Sequence, residues 1–466
     1  MTKNIYPKIF NILIIINLFF WDTYSGVYQQ KMLFVLLPFI HIILNLELIN
    51  ASNKKYNLNL NLEYLKKNLK SMVILFSFFI ILFFHKFYFA INFNLEIEKR
   101  SILKILFLFL MIFSTYYNLE IITKNFEKII ILSFFLVSIL FLIELILNYD
   151  SGVFSLNFAY SNNCYDDFLS KYSIFFMEGS HFGMVIPGLI ITYMIIIFEQ
   201  KKNYLYFIPL IFLIFSTFMN AFTLTFALSL IFGLGLCVLF YSNFKFKIIS
   251  IVLIFVTLFT FINMPKCSIK AIVIANDYYS KIKGNNKYLD KYIDRYLINF
   301  YNKNKNLTVT NEKRVEVNDT NQFSSSLSLA VYINSYRILR KSLESNMFGY
   351  GIESYKHIFK NNIKETSKNL TNEQSINKVV QKLNIEDASN NFVKLSLELG
   401  IFSIFIYFCL IYFLFDKSIE FKIKVFLSTL IFTQLFVRGA GYFNGGFIIC
   451  LSIILFLISS KKNNEQ

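Results

Sequence analysis

Four short stretches hold the residues that could carry chemistry. The first is Met177-Glu178-Gly179-Ser180-His181-Phe182-Gly183, a carboxylate, a hydroxyl and an imidazole beside an apolar run. A hydrolase is the obvious use, but a nucleophile elbow needs Gly-x-Ser-x-Gly on a strand-to-helix turn. Here the order is Gly-Ser-His-Phe-Gly at the start of a helix, where neighbouring side chains diverge, so Ser180 and His181 form no dyad. Two readings stand. Either Ser180 is an N-cap with Glu178 near the positive helix end, or Glu178 is a general base for a substrate hydroxyl, with Ser180 and His181 against the same substrate.

The second stretch is Asn334-Ser-Tyr-Arg337-Ile-Leu-Arg340-Lys341, followed by Asn346-Met-Phe-Gly349-Tyr350-Gly351. Helical spacing over Ser325 to Ser345 gives Leu329, Ile333, Tyr336 and Leu343 as an apolar stripe and puts Arg337, Arg340 and Lys341 on one face. A guanidinium stays charged and presents a fork to phosphate oxygens, so Arg337 and Arg340 are candidates for holding a pyrophosphate. A solvated basic face is the bland alternative. The glycines allow a tight turn. The third stretch, Asp387-Ala-Ser-Asn390-Asn391, runs into Leu397-Glu398-Leu-Gly400. The fourth is Arg438-Gly-Ala-Gly-Tyr-Phe-Asn-Gly-Gly446, in which Arg438 is either a snorkelling anchor or a second contact to the same anion. His41 and His85 fall in apolar runs and read as packing residues, and His357 as a surface residue. No pair among histidines and carboxylates has zinc-type spacing, and no Asp-x-Asp cluster occurs, so no catalytic metal is expected.

What must position these residues is a set of membrane helices. Of 466 residues 56% are hydrophobic and 16% charged, against about a quarter charged in soluble proteins. Apolar runs lie near 9–21, 32–49, 71–91, 102–117, 129–147, 182–198, 204–219, 221–241, 248–262, 397–415, 423–437 and 446–459. That predicts an all-α polytopic membrane protein with about 12 transmembrane helices, the split near Asn220 being the weakest boundary. The net charge of +17 is carried by lysines beside the apolar runs, so membrane topology explains it better than nucleic acid. Loops with Lys54, Lys55, Lys66, Lys67 and Lys70, with Lys201 and Lys202, with Lys245 and Lys247, and with Lys417, Lys422 and Lys424 share one parity, which places both termini in the cytoplasm. The first apolar run lacks a small-residue cleavage site and reads as retained.

The membrane segments 1–262 and 397–466 then flank one large outward loop, 263–396, between helices nine and ten. Its first part, Lys281 to Thr320, reads as loosely ordered. Cys237, Cys409 and Cys450 lie in apolar helices as packing residues. Cys164 and Cys267 fall in outward loops, where a disulfide is permitted.

The order of these pieces resembles the O-antigen polymerase and O-antigen ligase superfamily. Arg337 through Tyr355 is similar to its Arg…Asn-Pro-hydrophobic-Gly-x-Gly-x-x-Ser-aromatic block, and Asn390 through Ile401 to its His-Asn-x-x-Leu-x-x-x-x-Glu-hydrophobic-Gly block. Phe176-Met-Glu178-Gly-Ser180 is similar to the Glu-Pro-Ser segment of many polymerases. The family's His is Asn390 here and its Pro is Gly179, which weighs against the ligase. The resemblance implies a GT-C-like membrane glycosyltransferase of the bacterial cytoplasmic membrane. It would join undecaprenyl-pyrophosphate-linked oligosaccharide units on the outer face, with inversion, without cofactor, and with a chain-length regulator as protein partner. Arg337, Arg340 and Arg438 would hold the departing anion, Glu178 would deprotonate the acceptor, Tyr350, Asn390 and Asn391 would orient sugar hydroxyls, and Glu398 would support them. The rivals are a ligase to lipid A-core, a flippase of the same lipid-linked unit, and a non-catalytic scaffold. A flippase is disfavoured by the largely apolar helix interiors, since transporters use charged or broken helices.

Overall fold

The computed structural model describes residues 2–19, 31–41, 77, 80–92, 99–147, 179–200, 204–220, 222–263, 327–367 and 380–460. Among the described residues there is no strand. The N-terminal part supplies α1 (Thr2–Phe19), α2 (Lys31–His41), α3 (Ile80–Asn92), α4 (Lys99–Tyr117), α5 (Leu119–Lys124) and α6 (Phe126–Leu147). Next come α7 (Gly179–Gln200), α8 (Phe207–Asn220), α9 (Leu224–Phe240) and α10 (Phe244–Asn263). The insert contributes α11 (Leu327–Ser345) and α12 (Tyr355–Thr366). The chain closes with α13 (Asn391–Leu399), α14 (Ser403–Phe415), α15 (Phe421–Phe432) and α16 (Phe447–Ser460).

Each predicted apolar run is helical over most of its described residues. The break near Asn220 is real: Thr223 starts α9 by accepting the Phe226 N–H at 3.1 Å. Among the described residues five stretches are long and apolar enough to cross a membrane, at Arg100–Tyr117, Phe126–Ile143, Ser180–Gln200, Phe244–Ile262 and Asn391–Phe415. The chain is an all-α membrane protein. Buried along almost its whole length, α7 is the centre, with α9 and α15 packed against it. The end of α15 is tied to α9 by the Thr433 hydroxyl, which donates to Ser229 at 2.8 Å, the kind of polar contact that joins helices in lipid. At the periphery α10 turns Phe255 and Phe259 outward, which costs nothing where the solvent is hydrocarbon.

Polar contacts between helices gather in two groups. In one the Tyr6 hydroxyl donates to Asn118 at 2.8 Å, Gln200 donates to Glu127, and Lys422 pairs with Glu127, Glu199 and Glu420. In the other, Lys31 donates to Asn444 at 2.7 Å, Lys104 pairs with Glu353 at 3.1 Å, and the His85 ring meets the Phe348 carbonyl at 3.1 Å. Three of the four sequence stretches with candidate chemistry, the second, third and fourth, adjoin this second group.

Several expectations change. Helix ten begins at Asn391, not Leu397, and breaks at Gly400 before resuming through a short 3-10 turn. Its first nine residues carry Lys394 and Glu398 fully inside protein, so the picture of unbroken helices with apolar interiors fails here. Helix eleven ends in a π turn at Thr433–Val437. On α11 the buried side is Val331, Ser335, Ile338, Leu339 and Ser342, while Ile333, Tyr336 and Leu343 are half-buried. The helix is contacted from two sides, by α12 and by α13, which a single-stripe pattern does not anticipate. Ser180 lies inside the first turn of α7 and is not its N-cap. Glu178, Cys164, Cys267 and the segment Lys281 to Thr320 lie outside the described residues.

Candidate functional site

The start of α13 is where separate stretches of sequence meet. Asn390, in extended conformation, caps the helix: its Oδ1 accepts the Val393 N–H at 2.9 Å, and its Nδ2 reaches the Tyr336 hydroxyl of α11 at 3.5 Å. Fully buried Asn391 uses its amide as a second backbone. It accepts the Gly441 N–H at 3.2 Å and donates to the Gly441 carbonyl at 3.3 Å, which pins the Arg438–Gly446 loop to the helix.

At the other end of α13 the break at Gly400, with φ 56 and ψ −134, leaves helix carbonyls without intrahelical partners. The Asn346–Gly351 turn fills that need. The Tyr350 N–H donates to the Leu397 carbonyl at 3.2 Å and the Gly351 N–H to the Glu398 carbonyl at 2.8 Å, while the Ile401 N–H returns to the Met347 carbonyl at 2.9 Å. Backbone lies on backbone here. A Cβ on Gly400 would sit 2.3 Å from the Met347 carbonyl oxygen.

A network of buried charge surrounds this joint. The Lys394 side chain, 2% exposed, places Nζ 3.2 Å from Glu353, 2.8 Å from the Glu386 carbonyl and 3.8 Å from Asp387, above the Tyr442 ring at 4.8 Å. The second oxygen of Glu353 binds Lys104 of α4 at 3.1 Å; Lys104 also reaches Glu386 at 3.3 Å, and Lys356 of α12 meets Glu386 at 3.5 Å. Glu398 accepts the Tyr355 N–H at 3.1 Å and the Tyr442 hydroxyl at 2.6 Å. Each buried ion costs several kcal/mol unless paired and hydrogen-bonded, so the network holds only as a set. Two of its backbone positions are strained as well. Glu353 and Ala388 have φ of 59 and 58, a conformation that costs a non-glycine residue about 1–2 kcal/mol and concentrates at working sites.

Burial pushes the Glu353 carboxyl up, but Lys394 and Lys104 outweigh it and hold the group below 4.5. Glu386 is held low in the same way, against burial, by Lys104 and Lys356. Asp387 moves the other way: enclosure by protein raises it, Lys394 opposes, and the neighbouring Glu353 and Glu386 charges add to the rise. For Glu353 the folded value lies below the unfolded one, so its stabilisation is complete above the unfolded value and is lost as pH falls through the folded value. Asp387 has the opposite sign, gaining protons more readily when folded. Melting of the detergent-solubilised protein is therefore expected to fall as pH drops below 4.5, and Glu353→Gln is expected to remove most of that slope. An unchanged slope in the variant would assign the acid sensitivity elsewhere.

The sequence candidates distribute unevenly. Asn390, Asn391, Glu398, Tyr350 and the Arg438 loop converge on α13. Tyr350 is buried, with its hydroxyl on the Ser345 hydroxyl at 2.6 Å and the Ser342 carbonyl at 3.1 Å, so it braces the turn internally. Arg438 is half-buried and follows the π turn, its N–H donating to the Thr433 carbonyl at 2.9 Å. Exposed Arg337 donates to the Thr366 carbonyl at the end of α12 at 3.3 Å; Arg340 pairs with Glu344 at 3.0 Å, and Lys341 pairs with Glu365. Ser180 is buried and His181 half-buried at the start of α7. Sequence reading missed Lys104, Glu353, Glu386, Lys394 and Tyr442. One signal was available: Lys394 and Glu398 stand four apart at the head of a run that continues as apolar helix, and ionisable residues there are rarely idle. Comparison with known proteins returns no matching family, no matching curated relative and no matching solved structure.

Proposed function

We propose that the chain is a bacterial cytoplasmic-membrane glycosyltransferase that polymerises undecaprenyl-pyrophosphate-linked oligosaccharide units on the outer face. In this reading about 12 helices form a GT-C-like bundle with both termini in the cytoplasm. One observation carries it: two of the segments that resemble the O-antigen polymerase superfamily, Arg337–Tyr355 and Asn390–Ile401, interlock at α13 although they stand apart in the sequence. The turn at Asn346–Gly351 is hydrogen-bonded to Leu397 and Glu398, and the Arg438 loop is paired with Asn391. A scaffold has no need of that convergence, nor of the buried charge beside it.

The donor already carries a good leaving group, so the chemistry asks for stabilisation of departing pyrophosphate and a base for the acceptor. Arg438, on the loop at the joint, and Arg337, on the adjoining helix, supply the guanidinium groups. A chain-length regulator is the expected protein partner. The test is in vitro polymerisation of lipid-linked oligosaccharide extracted from host cells deleted for this chain. Wild type is expected to build multi-repeat polymer. Arg438→Ala and Arg337→Ala are expected to lose about 100-fold in turnover, and Arg337→Lys is not expected to recover it. Undiminished polymer from both alanine variants would remove the anion-holding role. Transfer of finished polymer to lipid A-core would assign the ligase. The broken helix at Gly400 and its buried charges also favour a second reading, a flippase of the same lipid; translocation in vesicles without a new glycosidic bond would assign that.

A further inference from the structure

We propose that Asp387 is the group that takes the proton from the acceptor hydroxyl, an inference that rests on the glycosyl-transfer reading above. The other carboxylates at the joint are committed. Glu398 has no exposed surface and holds the Tyr355 N–H and the Tyr442 hydroxyl. Glu353 is 8% exposed and is claimed by a lysine on each oxygen. Glu386 is open to solvent, but Lys104 and Lys356 clamp both its oxygens.

Asp387 differs from all three. It keeps 45% of its side chain exposed, and its ion contact to Lys394 is a long 3.8 Å. That contact is made by Oδ1, the oxygen that also lies against the Gly441 backbone, where a Cβ would come within 2.2 Å of it. One oxygen is thus held against the Arg438 loop while the carboxylate stays open to an incoming hydroxyl. The strained φ of 58 at Ala388 fixes the direction of the chain beside it. Enclosure and like charge make its carboxyl a stronger proton acceptor than an ordinary aspartate, which is what base catalysis asks for.

In the step, the acceptor oxygen forms its bond to the anomeric carbon while its proton passes to the Asp387 carboxylate. The bond from that carbon to the pyrophosphate oxygen breaks, and polyprenyl pyrophosphate leaves with the electron pair. Lys394 of α13, Lys104 of α4, Glu353 of the preceding turn and Glu386 act on this group and set its titration together, and the Tyr355 hydroxyl of α12 lies in its field.

The experiment uses the full chain in vesicles with the same lipid-linked extract. Asp387→Asn is expected to lower turnover about 100-fold, with the donor KM unchanged and folded protein still recovered, and to abolish the fall in rate expected of wild type on acidification. Asp387→Glu is expected to recover part of the rate. Wild-type turnover in Asp387→Asn, or an acid limb that survives in it and vanishes in Glu178→Gln, would overturn the assignment while leaving the polymerase intact. No polymer from wild type under any condition would remove the underlying reading instead.

Discussion

Lys394→Met is expected to destabilise the protein by about 3–5 kcal/mol, the range for breaking a buried ion pair from one side. The methionine fills similar volume, so the loss is not one of packing. It comes from leaving Glu353 with one lysine in place of two, and from leaving the Glu386 carbonyl, otherwise 2.8 Å from Nζ, without its donor. The Tyr442 ring also loses the cation over its face. Adding Glu353→Gln is expected to return a large share of the lost stability, because the uncompensated charge is then gone; pairs in direct contact are where additivity fails. Thermal melting of the two single variants and the double variant in one detergent measures this. If the two losses simply add, the pair is not coupled and the network is a set of independent contacts.

Gly400→Ala is expected to cost more still, above roughly 4 kcal/mol, and to prevent accumulation of folded protein. The φ of 56 with ψ of −134 belongs to backbone space that only glycine enters freely, and forcing another residue there costs about 1–3 kcal/mol. The new Cβ would also lie 2.3 Å from the Met347 carbonyl oxygen and 2.4 Å from the Gly349 nitrogen. Neither atom belongs to a side chain that could swing aside. The turn would have to lift off α13, taking with it the N–H groups that satisfy Leu397 and Glu398. The yield of monodisperse protein after detergent extraction is the direct readout, and a wild-type yield would show that the turn can move.

Much of the architecture was legible because membrane helices announce themselves by run length. The predicted runs hold helices over most of their described residues. The turn at Gly349 and Gly351 was readable from the glycine pair, and both adopt positive φ. Illegible were features that depend on distant partners. Gly400 closes the third stretch, and nothing in the sequence brings the Met347 carbonyl against it. Glu353 reads as a loop carboxylate, and only the fold brings Lys104 and Lys394 to it from opposite sides in sequence. The exposed arginines show both cases. Arg340 meets Glu344 one turn on, a partner that helical spacing supplies, whereas the Thr366 carbonyl that Arg337 meets at the end of α12 is not to be read from α11.

The ion pair between Lys104 and Glu353 spans 249 positions, and the contact between Lys31 and Asn444 spans 413. A ribosome adding about 5–20 residues per second needs on the order of 10–50 s to deliver Glu353 after Lys104 has entered the bilayer. During that interval the early helices carry an ammonium group without its native counter-charge. Chains halted by premature stop codons before Glu353 never acquire it.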